Sequence, residues 1–300
     1  MLEQSNEILL DATVLECNDG TSHKTTVRTG LPQGTWRRLY QGVQPEKSTT
    51  VQVTDSTGML EAYAEVDKKL IDIAPDPAGF RLSEERPFVE GMTQNVAKTL
   101  FYGNQSTEVE KFTGFAPRYN SLSAVNGQNI VDGGGTGTDN TSIWLVCWGE
   151  NTCHMLYPKG SKAGISQRDL GEETTKDANG GMYQVYRTHW GWDAGLTVRD
   201  WRYVVRIANI DVSDIRSTDS AMQKLVSLLI DAEERLPSLG MGRAAFYCNR
   251  TVRTALRKGI LGKVSNNLTE ETVAGKRVTA FDGIPIRICD QLINAEARVV

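Results

Sequence analysis

Residues 82–103, LSEERPFVEGMTQNVAKTLFYG, are the longest segment in the first half of the chain that reads as one helix. Ser83 can cap its N-terminus, and Glu84 and Glu85 sit where the helix dipole favours negative charge. Pro87 falls early enough to be tolerated. Phe88, Met92, Val96 and Leu100 recur every fourth residue, and Val89, Ala97 and Phe101 widen the stripe. Gly91 is the one weak link inside it, and Gly103-Asn104 supply the stop. A helix of about 20 residues spans roughly 30 Å, the width of a small domain. The rod therefore crosses the molecule, and the rest of the chain is to be placed around it.

The chain has 300 residues, with 39% hydrophobic and 23% charged side chains, enough apolar material for a core. Its formal net charge of -4 argues against a dedicated nucleic-acid binder, which is normally basic. No window approaches 18 apolar residues, so no helical membrane span is expected. The N-terminus, MLEQSNEILLDATVLEC, carries acidic residues where a signal peptide needs positive charge. Five scattered cysteines (Cys17, Cys147, Cys153, Cys248, Cys289) fit reduced thiols in a cytosolic setting better than a disulfide framework.

Residues 1–24 show no sustained period. Residues 8–15 suit a short helix or strand, Asn18-Asp19-Gly20 is a turn, and the whole reads as an extended arm needing an outside surface. Residues 25–67 read as a long two-stranded excursion. TWRRLYQ (35–41) and TTVQV (49–53) are its β-type runs, 42–48 its tip, and MLEAYAEV (59–66) a continuation of the returning strand. Such a hairpin is marginal alone. It is either an edge hairpin folded onto its own domain or a strand pair meant for a neighbouring surface.

After the rod, residues 115–140 are turn-rich and end in GGGTGTDN. No lysine follows these glycines and they precede a strand, so a phosphate loop is not indicated. Residues 142–158 read as a hairpin across Gly149-Glu150-Asn151, and 183–190 with 196–210 as a second across 191–195. The six tryptophans (Trp36, Trp144, Trp148, Trp190, Trp192, Trp201) fall in these runs or in the excursion, as core or interface residues rather than a sugar platform. Ser217 or Thr218 caps a helix to 236 whose buried face is Ala221, Leu225, Leu228, Leu229, Ala232 and Leu236. Residues 244–249 form a buried strand and 250–258 a helix stopped by Gly259. Strands 277–280 and 284–289 flank the hairpin turn Asp282-Gly283, and 297–300 close the chain as β. Without βαβ regularity the class is α+β.

Catalytic constellations are thin. Cys147, Cys153 and His154 lack the paired spacing and fourth ligand of a zinc site. A Cys–His pair drawn from Cys147, Cys153 or Cys248 with His23, His154 or His189 has no flanking signature. Three Asn-x-Ser/Thr matches, at Asn104, Asn140 and Asn267, carry no weight without a secretion signal. The charge groups Glu84-Glu85-Arg86, Glu233-Glu234-Arg235 and Arg250/Arg253/Arg257/Lys258 read as solvated faces or inter-subunit ion pairs. No catalytic residue, cofactor or metal is expected; the residues describe a scaffold with protrusions.

The order of these parts, with TVRDWRYVVRIANID (197–211), AAFYCNRTVRTAL (244–256) and the GIPIR hairpin inside VTAFDGIPIRICDQL (278–292), resembles the major capsid proteins of tailed double-stranded-DNA bacteriophages of the Hong Kong 97-type fold. The resemblance implies an N-terminal arm (1–24), an extended hairpin loop (25–67) and a peripheral domain (68–140) with a spine helix at 83–103. An axial domain (141–274) and strands returning to the peripheral domain (275–300) would follow, with the helix stripe packed under those returning strands. It implies a non-enzymatic subunit self-assembling as pentamers and hexamers into an icosahedral head, made in the host bacterial cytoplasm and ending in the virion. Inter-subunit contacts would fall at Trp36, Arg37, Arg38, Tyr40, Pro45, Glu46 and Lys47 on the hairpin and at Glu84 and Glu85. Partners would be a separate scaffolding protein, since no long charged helix precedes the arm, a portal protein, a decoration protein and packaged DNA by non-specific proximity, with no membrane. An encapsulin-type compartment is the alternative on the same fold, a cysteine-dependent hydrolase the rival among enzymes, and a carbohydrate-binding module a third reading.

Overall fold

In the computed structural model the described residues are 6–30, 32–217, 219–261, 268–273 and 276–300. The chain opens with α1 (Ile8–Asp11), β1 (Val14–Glu16), β2 (Ser22–Gly30) and β3 (Thr49–Asp67), then α2 (Lys68–Ile73), α3 (Pro77–Tyr102) and α4 (Phe115–Arg118). Next come β4 (Ile130–Asp132), β5 (Asn140–Trp148), β6 (Cys153–Tyr157), β7 (Ser166–Lys176), β8 (Met182–Val198) and β9 (Val204–Asp211). The last third holds α5 (Val212–Ser217), α6 (Asp219–Glu233), β10 (Arg243–Cys248), α7 (Arg250–Leu261), β11 (Leu268–Val273), β12 (Lys276–Phe281) and β13 (Ile284–Ile288). The strands join in the order β11-β12-β13-β10-β5-β6-β8-β3-β2, with β1 beside β6, β7 beside β8, and β9 between β4 and β5.

Helix α3 is longer than its sequence signals suggested. The Asp76 carboxylate, not Ser83, caps it, accepting from the Gly79 amide at 3.1 Å, with Pro77 in the first turn. Ser83 instead donates its hydroxyl to the Phe80 carbonyl, and Pro87 lies in the helix interior. The apolar stripe is where the period put it: Met92, Val96, Ala97, Leu100 and Phe101 are buried. It does not pack under β12 and β13, however. Met92 meets Ala64 of β3 and Trp190 of β8, and Phe101 stacks into Phe115 and Trp144. Strands β12 and β13 contribute Phe281, Ile284 and Ile286 to a different cluster, with α6 and α7.

Strand β5 separates the two main clusters. Trp144, Val146 and Trp148 point to the α3 side and Ile143, Leu145 and Cys147 to the α6/α7 side, all at most 1% exposed. Burial on both faces is why this run reads as continuously apolar rather than alternating. Residues 142–158 are consequently not a hairpin: β5 runs between β10 and β9, and meets β6 only at Trp148 and Cys153. Nor do residues 183–190 and 196–210 pair. The segment 191–195 continues straight through β8, paired residue by residue with 61–57 of β3, and Gly195 is where a Cβ would come within 3.0 Å of the Ser56 carbonyl on that strand. The partner of β8 in its hairpin is β7, turned at Asp177–Gly181, where Asp177 Oδ1 accepts from the Asn179 and Gly181 amides.

The N-terminal segment packs within its own subunit. Residues 6–17 need no outside surface: Ile8 and Cys17 are buried, β1 pairs with β6, and Asp11 bonds Arg287 at 3.1 Å. Within the excursion, residues 35–41 are not a strand; the hairpin is β2 against β3, and the described part of its tip is 32–48. Helix α6 buries Leu225, Leu228, Leu229 and Ala232, with Leu236 just beyond it, as its period required, while Thr218 and Asn267 lie outside the described residues. Gly259 does not stop α7, which continues to Leu261. The Asp282-Gly283 turn forms between β12 and β13 with both φ angles positive (44° and 82°), the geometry a two-residue hairpin turn requires. Residues 297–300 are not a strand. The Asn209 side chain satisfies Val299 on both sides, accepting from its amide at 2.8 Å and donating to its carbonyl at 2.9 Å.

Candidate inter-subunit surface

The surface is built from the root of the β2–β3 hairpin outward. Strand β3 pairs with β8 from Thr57 to Asp67, but from Thr49 to Ser56 its only partner is β2. Asp55, buried at the junction, anchors the root. It takes Arg118 Nη2 at 2.7 Å and the Thr197 hydroxyl at 2.6 Å, while the Arg118 guanidinium also reaches the Thr113 and Leu196 carbonyls. His23 and His154 pack edge to face beside it, centroids 5.7 Å apart. Burial drives the His154 imidazole down to about 4 and lowers that of His23. Both rings are therefore neutral near pH 7, and the root is held by the Asp55–Arg118 ion pair, the hydrogen bonds around it and the contact of the two rings.

Beyond the root the ribbon has no core. Thr49, Thr50, Val51, Gln52 and Thr54 are exposed. Six residues of paired strand carry the tip roughly 20 Å from the body. At the tip Glu46 accepts from the Gln33 and Gly34 amides at 2.9 and 3.0 Å, tying its two sides together. Arg37 donates to the Gln41 carbonyl at 3.3 Å, and Tyr40 holds a left-handed φ of 67°. Trp36, Leu39 and Tyr40 are 103%, 85% and 104% exposed, and Arg38, Pro45 and Lys47 are exposed with them. Three large apolar side chains together in water mark a surface to be covered.

Glu84 and Glu85 part company. Glu84 is exposed. Glu85 is buried within its own subunit and cannot be the inter-subunit contact its sequence position suggested. It accepts from Arg81 Nε at 2.9 Å and from the Thr188 hydroxyl at 2.7 Å, with Gln167 beyond. Arg81 also binds Asp169 at 2.7 Å, so this network fastens α3 to the β7–β8 hairpin. That hairpin was not read from the sequence, and with it went the partners that bury Glu85.

A second buried network holds the C-terminal residues. Arg206 Nη2 meets Glu296 Oε2 at 2.8 Å, Arg206 Nη1 donates to the Tyr119 carbonyl at 2.7 Å, and the guanidinium lies 5.0 Å over the Trp144 ring. Glu296 also accepts from the Ser142 and Tyr102 hydroxyls. The chain end is thereby pinned beside the C-terminal turn of α3.

Among the described residues no cysteine nucleophile is assembled. All five thiols are buried, and burial pushes their pKa up, that of Cys248 to about 12 and that of Cys17 to about 11. A cysteine nucleophile needs the opposite shift. Among the described residues no three His, Cys, Asp or Glu side chains converge as metal ligands, and no helix is long and apolar enough to cross a membrane.

A sheet-and-helix body carrying a projecting ribbon, with its polar networks spent on holding itself together, is the architecture of a Hong Kong 97-type phage capsid protein. The sequence model for major capsid protein GP7 matches residues 1–300. The chain belongs to that family: it is a structural subunit of an icosahedral phage head and not an enzyme. It is similar to the bacteriophage Epsilon15 structure, at 37% identity over 100% of this chain and 91% of that one, with a TM-score of 0.77. It shares its fold with the bacteriophage JBD30 capsid, at 10% identity, 97% and 92% coverage and a TM-score of 0.58. The likeness to the SrpI encapsulin of Synechococcus elongatus, at 11% identity, 68% and 87% coverage and a TM-score of 0.45, is too slight to weigh. No curated protein matches the chain.

Proposed function

We propose that copies of this chain close into the head as pentamers and hexamers, with the 32–48 tip of each subunit lying on its neighbour. The observation that carries this is the ribbon itself, whose exposed Trp36, Leu39 and Tyr40 have no covering surface in their own subunit. Arg37, Arg38, Pro45, Glu46 and Lys47 are the polar part of the same contact, and Glu84 a contact on α3. The domain reading that goes with it takes 25–67 as the extended loop, 68–140 as the peripheral domain around α3, 141–274 as the axial domain and 275–300 as the returning segment.

Shell growth requires many weak, reversible contacts, because a lattice of strong ones traps errors. Contacts that weak leave curvature underdetermined, so a scaffolding protein is expected to guide closure, with a portal protein at one vertex, a decoration protein outside, and assembly in the host cytoplasm. A net charge of -4 suits an inner wall beside packaged DNA, where a basic surface would adhere to phosphates. The exposed Glu90 and Lys98 of α3, with the half-buried Gln94, are assigned to that wall or to a neighbour. The test is assembly of purified protein, alone and with its phage's scaffolding protein, followed by electron microscopy. Shells or capsomers support the reading; monomers under both conditions sink it.

A further inference from the structure

One edge of the sheet has no strand. From Met59 to Val66, β3 pairs with β8 on one side, and among the described residues no strand and no backbone hydrogen bond engages the other. Beside that edge runs a groove of about 390 Å³, lined by Leu60, Ala62, Pro87, Phe88, Met92 and Asn95. Its lining also takes in Glu61, between Leu60 and Ala62. Open edges are pairing templates, and most proteins blunt or cover them.

The same chain carries a segment in the complementary condition. Residues 35–41, TWRRLYQ, have the composition of a strand, yet they form none in the subunit and are exposed throughout. We propose that residues 35–41 of one subunit add as a strand to the free β3 edge, residues 59–66, of a second subunit, with Trp36 seated in the groove beside α3. This rests on the reading that the tip contacts a neighbouring subunit and supplies the place and manner of the contact.

Three observations support it. Lengths match: seven residues of strand span about 23 Å and the free edge about 26 Å. Charges match: with Trp36 on the α3 face, Arg37 falls on the opposite face, which carries Glu61 and Asp193, two neighbouring carboxylates, and burial together with Glu61 already raises the Asp193 pKa. Own-subunit docking is out of reach. Gly30 sits opposite Thr49, from which Leu60 is about 36 Å along β3, whereas the six residues from Gly30 to Trp36 extend at most roughly 21 Å. The occupant must therefore come from another copy. Main-chain pairing would supply affinity and the groove side-chain selectivity, as in other cases of strand addition.

Hydrogen exchange on the full-length protein tests this, comparing unassembled subunits with assembled shells. Amides in 35–41 and in 59–66 are expected to slow together, by roughly a hundredfold, on assembly. Protection of 35–41 with 59–66 unchanged, or no change in either within intact shells, would overturn the proposal while leaving the shell reading in place. Absence of shells would overturn both. As an independent readout, Trp36→Cys combined with Gly91→Cys should cross-link between subunits in shells, since a side chain at position 91 meets nothing within 4 Å. Trp36→Cys with Met182→Cys, placed on the exposed end of β8, should not; the reverse result would refute the placement.

Discussion

Replacing Glu296 by alanine is expected to destabilise the unassembled subunit by about 3 kcal/mol. The Glu296 and Arg206 side chains are 4% and 5% exposed, so the substitution strands a buried guanidinium. Breaking a buried pair by removing one partner typically costs about 3–5 kcal/mol. The lower end applies here because Arg206 retains the Ser142 hydroxyl at 3.1 Å, the Tyr119 carbonyl at 2.7 Å and the Trp144 ring. For a chain of this size the loss corresponds to a fall in Tm of roughly 6–10 °C by circular dichroism. The double variant Arg206→Met/Glu296→Leu removes both charges and is expected to recover most of that loss, since apolar replacement of a buried pair is often near neutral. A Glu296→Ala shift below about 2 °C, or a double variant as unstable as the two singles added, would refute the view that this network pins the chain end.

Other expectations follow from the same contacts. His154 is neutral and buried in the folded subunit and titrates normally when unfolded, so the unfolded state binds the extra proton and stability falls as pH drops from 6.5 toward 4. The loss between pH 7 and 5 is about 2 kcal/mol by urea unfolding, and His154→Asn should flatten that slope. Gly114→Ala places a Cβ 2.5 Å from the Thr99 carbonyl and is expected to cost more than about 2 kcal/mol, whereas Gly91→Ala meets nothing and should stabilise α3 by roughly 0.5–1 kcal/mol. A thiol reagent should modify none of the five cysteines in the native subunit and all of them in denaturant. Trp36→Ala/Tyr40→Ala should leave the Tm of the unassembled subunit unchanged and lower shell yield; a fall in Tm would mean that these rings already pack at home.

Much of the architecture was legible because it rests on local periods. The α3 stripe, the α6 face, the short strand β10 and the Asp282-Gly283 turn each follow from spacing or turn chemistry within a few residues. What escaped was partner choice. GWDAG at 191–195 has the composition of a turn, but Gly195 is there to admit β3, a strand more than a hundred residues earlier. Residues 35–41 have the composition of a strand, yet a strand needs a neighbour, and their own subunit offers none. Glu85 was misplaced for the reason that β7 was missed: its alternation is polar on both faces, and only the fold brings Thr188 and Gln167 beside the carboxylate. The arm looked unsupported because the surfaces that bury Ile8 and bind Asp11 come from the far end of the chain, at Cys289 and Arg287.

The central claim is that the 32–48 tip is completed by another subunit in a closed shell. An electron cryomicroscopy reconstruction of the assembled protein tests it most directly. The account predicts icosahedral shells in which density for Trp36, Leu39 and Tyr40 is continuous with a neighbouring subunit. Shells in which that tip stands free in solvent or folds back onto its own body would contradict it.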